Sequence, residues 1–506
     1  MTTSLLRVRG TTVLAFTGLV ALGCGVDPDG TGTGTATATA TGTATAASQA
    51  SETSLTGADA TTTDATTGDG ATAPTSANSA SDEDGEASGS VKYDVGSVVD
   101  FGAGVVPGPG SCRASEIYGA AGGFPTFQDE AYEDFLDRTV AIVTHQPQFP
   151  LTNVLTIIDI SGAPPPPNQN YLAPKYWQPQ WDQTNLGRVF GITLDSYGNI
   201  YVAATTVFGA NPAPNKIRRI DGVTGAITDF ATLPNSGPAF GNLNYDCVSE
   251  TIYVSNHEDG RIYQVDMSGD VVSTYHHATG DVTLGLPNDP GEPNGAFAPL
   301  GDRVWAVQSH FGRLYYSVWV EHSQTVNPNR DNEIWSVAYA DDDGVPDPAT
   351  AQKEFDVPKN DATLSVPVSD LGFAHDGWML IAQRTMYGDS STSAHQSTTY
   401  DFAFMNGQWV SQGTNYVVGE LLPYSAAGGV DHDFVEAGYV WMTGDALDFY
   451  TPNVVYGLQG TPFGGGGVET STLIDLDEEV VSQDKTAYGD VELPIPGDVS
   501  PVPPPG

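Results

Sequence analysis

The sequence predicts an all-β protein, a six-bladed β-propeller preceded by an unstructured tether. Three observations carry that prediction. Residues 190–195 and 200–204 read as two short strands joined by a Gly-containing hairpin turn at 196–199, with a third strand at 216–221. The same three steps return at 241–245, 251–255 and 261–266, and a recurring unit outranks local propensity when a fold is inferred. Aligning the second strand of every copy puts Ile142, Tyr201, Tyr253, Tyr315, Leu380 and Trp441 in one column, spaced by roughly sixty residues. A sheet of three or four strands cannot bury both apolar faces alone, so six such units close by packing face to face around an axis. A β-sandwich also strings short strands between turns, but it needs no period of that length.

The chain begins with Arg7 and Arg9 before an apolar run, Val13 to Leu22, that is too short to span a bilayer and reads as a secretory signal over residues 1–23. Its end, Ala21-Leu22-Gly23-Cys24, resembles a bacterial lipobox. The resemblance implies lipidation at Cys24 and a place in the cell envelope or at the cell surface. With Gly25 next and no Asp there, it further implies the outer membrane of a Gram-negative host. Residues 24–90 are almost entirely Thr, Ala, Gly, Ser and Asp, so this linker has nothing to bury and is expected to be a solvated coil between anchor and domain.

The propeller is placed at 91–493. Its upstream copy is partial, with strands at 140–144 and 153–160, a stretch at 93–101 that would complete the last blade, and mild helical character at 129–137. Further copies run through 303–307, 312–316 and 332–337, then 370–375 with 377–382, then 429–434 with 438–443, ending in strands at 453–459 and 472–476. Pro-rich or acidic loops lie at 163–167, 287–295 and 341–348. The run Asp341-Asp342-Asp343-Gly344 has the look of a calcium loop without the EF-hand spacing, so it reads as a solvated turn, with Ca2+ the lesser alternative. Gly464 to Gly467 precede no predicted helix and are not a phosphate loop. Residues 494–506 form a Pro-rich tail.

A formal net charge of −44, from 62 acidic against 18 basic residues, repels nucleic acid and anionic lipid, leaving cationic or neutral ligands and divalent metal as partners the chain would accept. Of three cysteines, Cys24 is assigned to lipid, and Cys112 and Cys247 are left as a candidate disulfide or as two thiols. No nucleophile elbow, P-loop or His-Glu-x-x-His motif occurs, and Trp and Tyr in the strands read as inter-blade core.

Two phrases, Leu194 to Ala203 and Asn256 to Asp266, resemble the repeats of NHL-type and SMP-30/streptogramin-lyase-like propellers. The resemblance covers about two blades and implies the fold rather than one activity, since that group includes enzymes and binding proteins. In such a ring the turns between second and third strands share a face with the start of each innermost strand. Four steps beyond the column, Gln146, Thr205, His257, Trp319, Arg384 and Asp445 fall on that face. The leading expectation is a surface-tethered lipoprotein that binds a ligand or envelope partner at this channel face. The alternative is a metal-dependent lactonase, hydrolase or lyase of the resembled type, and a third is a structural envelope protein without a small-molecule site. For the enzyme, His257, Arg384 and Asp445 form the catalytic set, with His257 as base and Arg384 for an anionic group, while Asn256, Asp370 and Asp431 supply oxygen ligands.

Overall fold

The computed structural model describes residues 123–494 except 148–151, 165–166, 322–329, 361–362, 375–376, 414–415, 421–424, 434–437, 449–453 and 478–485. Cys24, Cys112, the tether, the expected strand at 93–101 and the tail beyond Pro494 lie outside the described residues. Within them the strands form six antiparallel blades.

Blade I is Val189–Leu194, Ile200–Ala204, Lys216–Ile220 and Ile227–Thr232, from the axis outwards. Blade II is Phe240–Asp246, Thr251–Asn256, Arg261–Asp266, Val271–His276 and Asp281–Leu284. Blade III is Arg303–His310, Arg313–Trp319, Glu333–Ala338 and Gln352–Asp356, and blade IV is Val368–Phe373, Met379–Gln383, Thr399–Met405 and Gln408–Ser411. Blade V runs Ala426–His432, Tyr439–Asp448, Val455–Pro462 and Thr472–Asp475, with Asn168–Tyr171 added in parallel at its outer edge. Blade VI joins the two ends of the described chain: Tyr488–Glu492 is innermost and pairs with Val140–His145, followed by Leu155–Asp159 and Lys175–Tyr176. The strand that opens this blade therefore comes from the C-terminal side, where the sequence marks no strand by its pattern.

The column residues explain why the ring closes. Each sits in a different apolar cluster between neighbouring blades: Ile142 between VI and I, Tyr201 between I and II, Tyr253 between II and III. Tyr315, Leu380 and Trp441 do the same at the remaining three junctions. All six are buried, so each blade hides its faces only against its neighbours. A seventh cluster, Phe190, Val207, Trp305, Trp319 and Met386, fills the axial end where the innermost strands begin.

Smaller readings meet mixed outcomes. The helical character near residue 130 is a 3-10 helix, Glu130–Phe135, capped by Asp129. The acidic 341–344 stretch is a turn held through its carbonyls, Gly344 O accepting from the Tyr253 hydroxyl and Asp343 O from Gln264 Nε2 at 2.6 Å. A single 3-10 turn, Val468–Thr470, follows the glycine run where no helix was predicted. The turn is tied by Thr470 Oγ1 and Ser471 Oγ, which donate to Gly467 O at 3.0 and 2.7 Å. Cys247 is buried and disulfide-bonded, its Sγ 3.3 Å from Ser196 Oγ.

Candidate functional site

The innermost strands are stitched to one another near the axis by two repeated devices. A hydroxyl from one blade donates to a carbonyl of the next innermost strand: Thr144 to Phe190 O, Ser255 to Trp305 O, Ser317 to Val368 O, Ser369 to Gly428 O and Thr443 to Gly489 O. Four of these donors, Thr144, Ser255, Ser317 and Thr443, stand two residues beyond the column, a second periodic signal in the sequence.

In the second device an innermost side chain accepts a backbone N–H from the following blade. Thr193 Oγ1 takes Tyr245 N at 3.0 Å and Asn244 Oδ1 takes Ser309 N at 2.8 Å. Beyond blade III the acceptors become carboxylates. Asp370 Oδ2 takes Val430 N at 2.8 Å, Asp431 Oδ2 takes Leu493 N at 2.7 Å, and Asp490 Oδ2 takes Ile192 N at 3.2 Å. Asn242 Nδ2 crosses from blade II to donate to Asp370 Oδ1 at 3.1 Å. Glu492, beside Asp431 and Asp490, has one carboxyl oxygen, Oε1, with no hydrogen-bond partner.

These groups form one acidic sector. Burial, then the charge of Asp490, raises the Asp370 carboxyl well above its usual range. Burial pushes Asp431 and Asp490 up to about 7, against the opposing pull of the backbone N–H groups they accept. Glu492 is raised for the same first reason and then by Asp431 and Asp490. Asp431 keeps 8% of its surface and Glu492 9%, so the sector is close-walled but not sealed.

The residues of the expected catalytic set are distributed differently. Arg384 Nη1 meets Asp445 Oδ2 at 2.9 Å and Ala427 O at 3.0 Å, a buried pair bridging blades IV and V. Asp445 is raised by burial and pulled back by Arg384, and its other oxygen accepts Tyr488 N at 3.3 Å. His257 is 0% exposed, and neither ring nitrogen has a partner. Its ring lies edge-on to Trp305 at 5.1 Å and near Phe297 at 6.0 Å, and burial, then the Arg303 charge, pushes it down to about 3. Trp305, which covers the imidazole, is itself edge-on to Phe190 at 5.6 Å, and the ion pair makes no bond to either ring nitrogen of His257. Asn256 Oδ1 accepts from Asn235 at 2.7 Å and Glu258 N at 2.9 Å while its Nδ2 donates to Pro234 O, which uses it to hold a turn.

The structure thus brings together Asp370 with Asp431 and Arg384 with Asp445, and leaves His257 and Asn256 outside both. Sequence reasoning missed Asn242, Asp490 and Glu492. The signal was present: Gly489-Asp490-Val491 matches Gly241-Asn242-Leu243 in spacing, but it becomes readable only once residues 488–492 are known to be an innermost strand. Among the described residues no group of three or more His, Cys, Asp or Glu side chains is arranged to hold a metal ion.

No protein-family model and no curated protein matches the chain. Solved structures with a similar course include a nidogen/laminin complex, 11% identical over 71% of this chain and 98% of that one, with a TM-score of 0.38. A putative 6-phosphogluconolactonase from Bacteroides fragilis shares 10% identity over 71% and 98% of the two chains, with a TM-score of 0.38. The periplasmic gluconolactonase of Pseudomonas aeruginosa shares 10% over 71% and 99%, also with a TM-score of 0.38. Likeness at this level transfers no activity to this chain.

Proposed function

We propose that this propeller is a binding protein that takes a cationic group, an organic ammonium, into its acidic axial sector, and that Cys24 tethers it by lipid outside the cytoplasmic membrane. One observation carries the ligand class. Thr193 and Asn244 make the inter-blade bond with neutral oxygens, yet Asp370, Asp431 and Asp490 make it with carboxyls whose ionised forms the site disfavours. If the bonds were the reason for the acids, accepting backbone N–H groups would depress their pKa. Burial wins instead, so ionising these carboxyls is a cost to the fold by itself. A cation displacing the retained protons would offset it, and the partnerless Glu492 oxygen supplies a free acceptor. An ammonium fits better than a bare metal ion, because the carboxyls are not grouped for direct ligation.

The test is thermal unfolding of the full chain with butylammonium chloride or calcium chloride, at pH 6 and pH 8. Stabilisation by butylammonium that grows with pH and vanishes in Asp431→Asn supports the reading. No cation-dependent shift at pH 8 would sink it. The lactonase reading places a base at His257, and the enclosed, partnerless imidazole gives it no support.

A further inference from the structure

The face where each innermost strand turns into the second carries a different surface. The tips of these turns in three consecutive blades expose one large apolar residue each: Tyr197 at 71%, Val248 at 49% and Phe311 at 37%. Between the tips of blades I and II lies an open hollow of about 410 Å³, walled by Tyr197, Tyr245, Phe230, Arg219 and Glu250. Between the tips of blades II and III lies a second, of about 330 Å³, walled by Val248, Phe311, Asp246, Asp341 and Asp342. Apolar tip and acidic hollow thus alternate along an arc.

Two backbone features sharpen the pattern. The turn of blade I uses a glycine, Gly198, for its left-handed residue at φ 76°. The turns of blades II and III place Glu250 at φ 49° and Phe311 at φ 48° in that same region, which glycine adopts at no steric cost. Glu250 lines the first hollow and Phe311 the second. Glu250, Asp341 and Asp342 are exposed.

We infer that this arc over blades I to III docks an extended polypeptide segment in which basic and apolar side chains alternate, its Lys or Arg groups entering the two hollows and its apolar groups lying against Tyr197, Val248 and Phe311. Charge complementarity selects the occupant. The second hollow presents Asp246, Asp341 and Asp342 with no basic residue in its wall, the first answers Glu250 only with Arg219, and Arg219 is already engaged with Asp221 at 3.1 Å. The whole chain is strongly acidic, so an anionic strand or glycan meets repulsion where a basic one meets attraction. The arc is distinct from the axial sector, being built from the turns of blades I to III, whereas the carboxyls stand on the innermost strands of blades IV to VI.

The probe is a fluorescein-labelled hexapeptide of alternating Lys and Trp, titrated with the full chain and followed by anisotropy, beside a hexapeptide of alternating Glu and Trp. The Lys-Trp peptide should bind, weaken with added salt, and lose about ten-fold in affinity with E250Q/D341N/D342N and with Tyr197→Ser. Asp431→Asn should leave that affinity unchanged, which separates this surface from the axial ligand site. Equal binding of the Glu-Trp peptide, or unchanged binding in both arc variants while circular dichroism shows them folded, overturns the inference.

Discussion

The two halves of the ring close their junctions with different acceptors, neutral in one and carboxyl in the other. In blades I and II the acceptors are a Thr hydroxyl and an Asn amide, and in blades IV to VI they are carboxyls. The hydroxyl stitch, by contrast, is common to both halves, Ser255 and Ser317 serving one and Ser369 and Thr443 the other. Closure of the propeller therefore does not require charge. What the acidic half adds is a group of retained protons beside a free oxygen, and the price of that is paid only in the half that holds it.

The largest effect should come from breaking the charged half where it is balanced. Asp445→Ala leaves the Arg384 guanidinium buried without its counter-ion and should cost about 3–5 kcal/mol in urea unfolding, while Arg384→Leu combined with Asp445→Leu should recover most of that loss. A loss below about 1 kcal/mol would mean the pair is hydrated and no part of the comparison.

Next in size is the pH response. Asp431 and Asp490 titrate near 4 when unfolded and at about 7 in the fold, so between those values the folded form holds protons the unfolded chain has released. Their contribution is complete below about pH 4 and is lost as pH rises to about 7. The unliganded protein should lose stability over that window, and D431N/D490N should flatten the slope. The mirror experiment, Asn244→Asp in the neutral half, should introduce a falling slope there at a cost of about 1–3 kcal/mol at pH 8. Parallel pH profiles for wild type and both variants would erase the distinction between the halves.

How much of this was legible in the sequence follows the same division. The column from Ile142 to Trp441 was readable because inter-blade burial demands a large apolar group once per repeat, and each of those residues fills its own junction. The closing strand Tyr488–Glu492 was not, since its position is set by the ring as a whole and nothing local marks it as innermost. Asp370 and Asp431 were found by counting along blades already aligned, whereas Asp490 and Glu492 went with the missed strand. His257 lies in surroundings its position in the repeat does not announce. Its place in the repeat puts it at a blade end where water is the usual neighbour, but Trp305 and Phe297, from blade III and the loop before it, cover the ring.

Smaller, and equal in both halves, should be the loss of a shared stitch. Ser255→Ala and Thr443→Val each remove a buried hydroxyl that donates to the neighbouring innermost strand and accepts a backbone N–H of its own blade, from Asn242 and Gly429, and each should cost about 1–3 kcal/mol. A cost several-fold greater for Thr443→Val would show that closure leans on the acidic half after all.

The smallest expected effect on stability is also the most telling. Glu492→Gln keeps the shape of the side chain and replaces a carboxyl that the fold holds in its neutral form beside Asp431 and Asp490, and the oxygen Oε1 makes no hydrogen bond that could be lost. Unfolding free energy at pH 7 should therefore stay within about 0.5 kcal/mol of wild type or rise slightly, as is usual where a substitution breaks no packed or bonded feature. Stabilisation by butylammonium should fall nonetheless, because the free acceptor is gone. If Glu492→Gln instead destabilises the fold by more than about 1 kcal/mol, that oxygen is satisfied within the structure and the acidic sector is a closure device like its neutral counterpart, with no vacancy for a ligand.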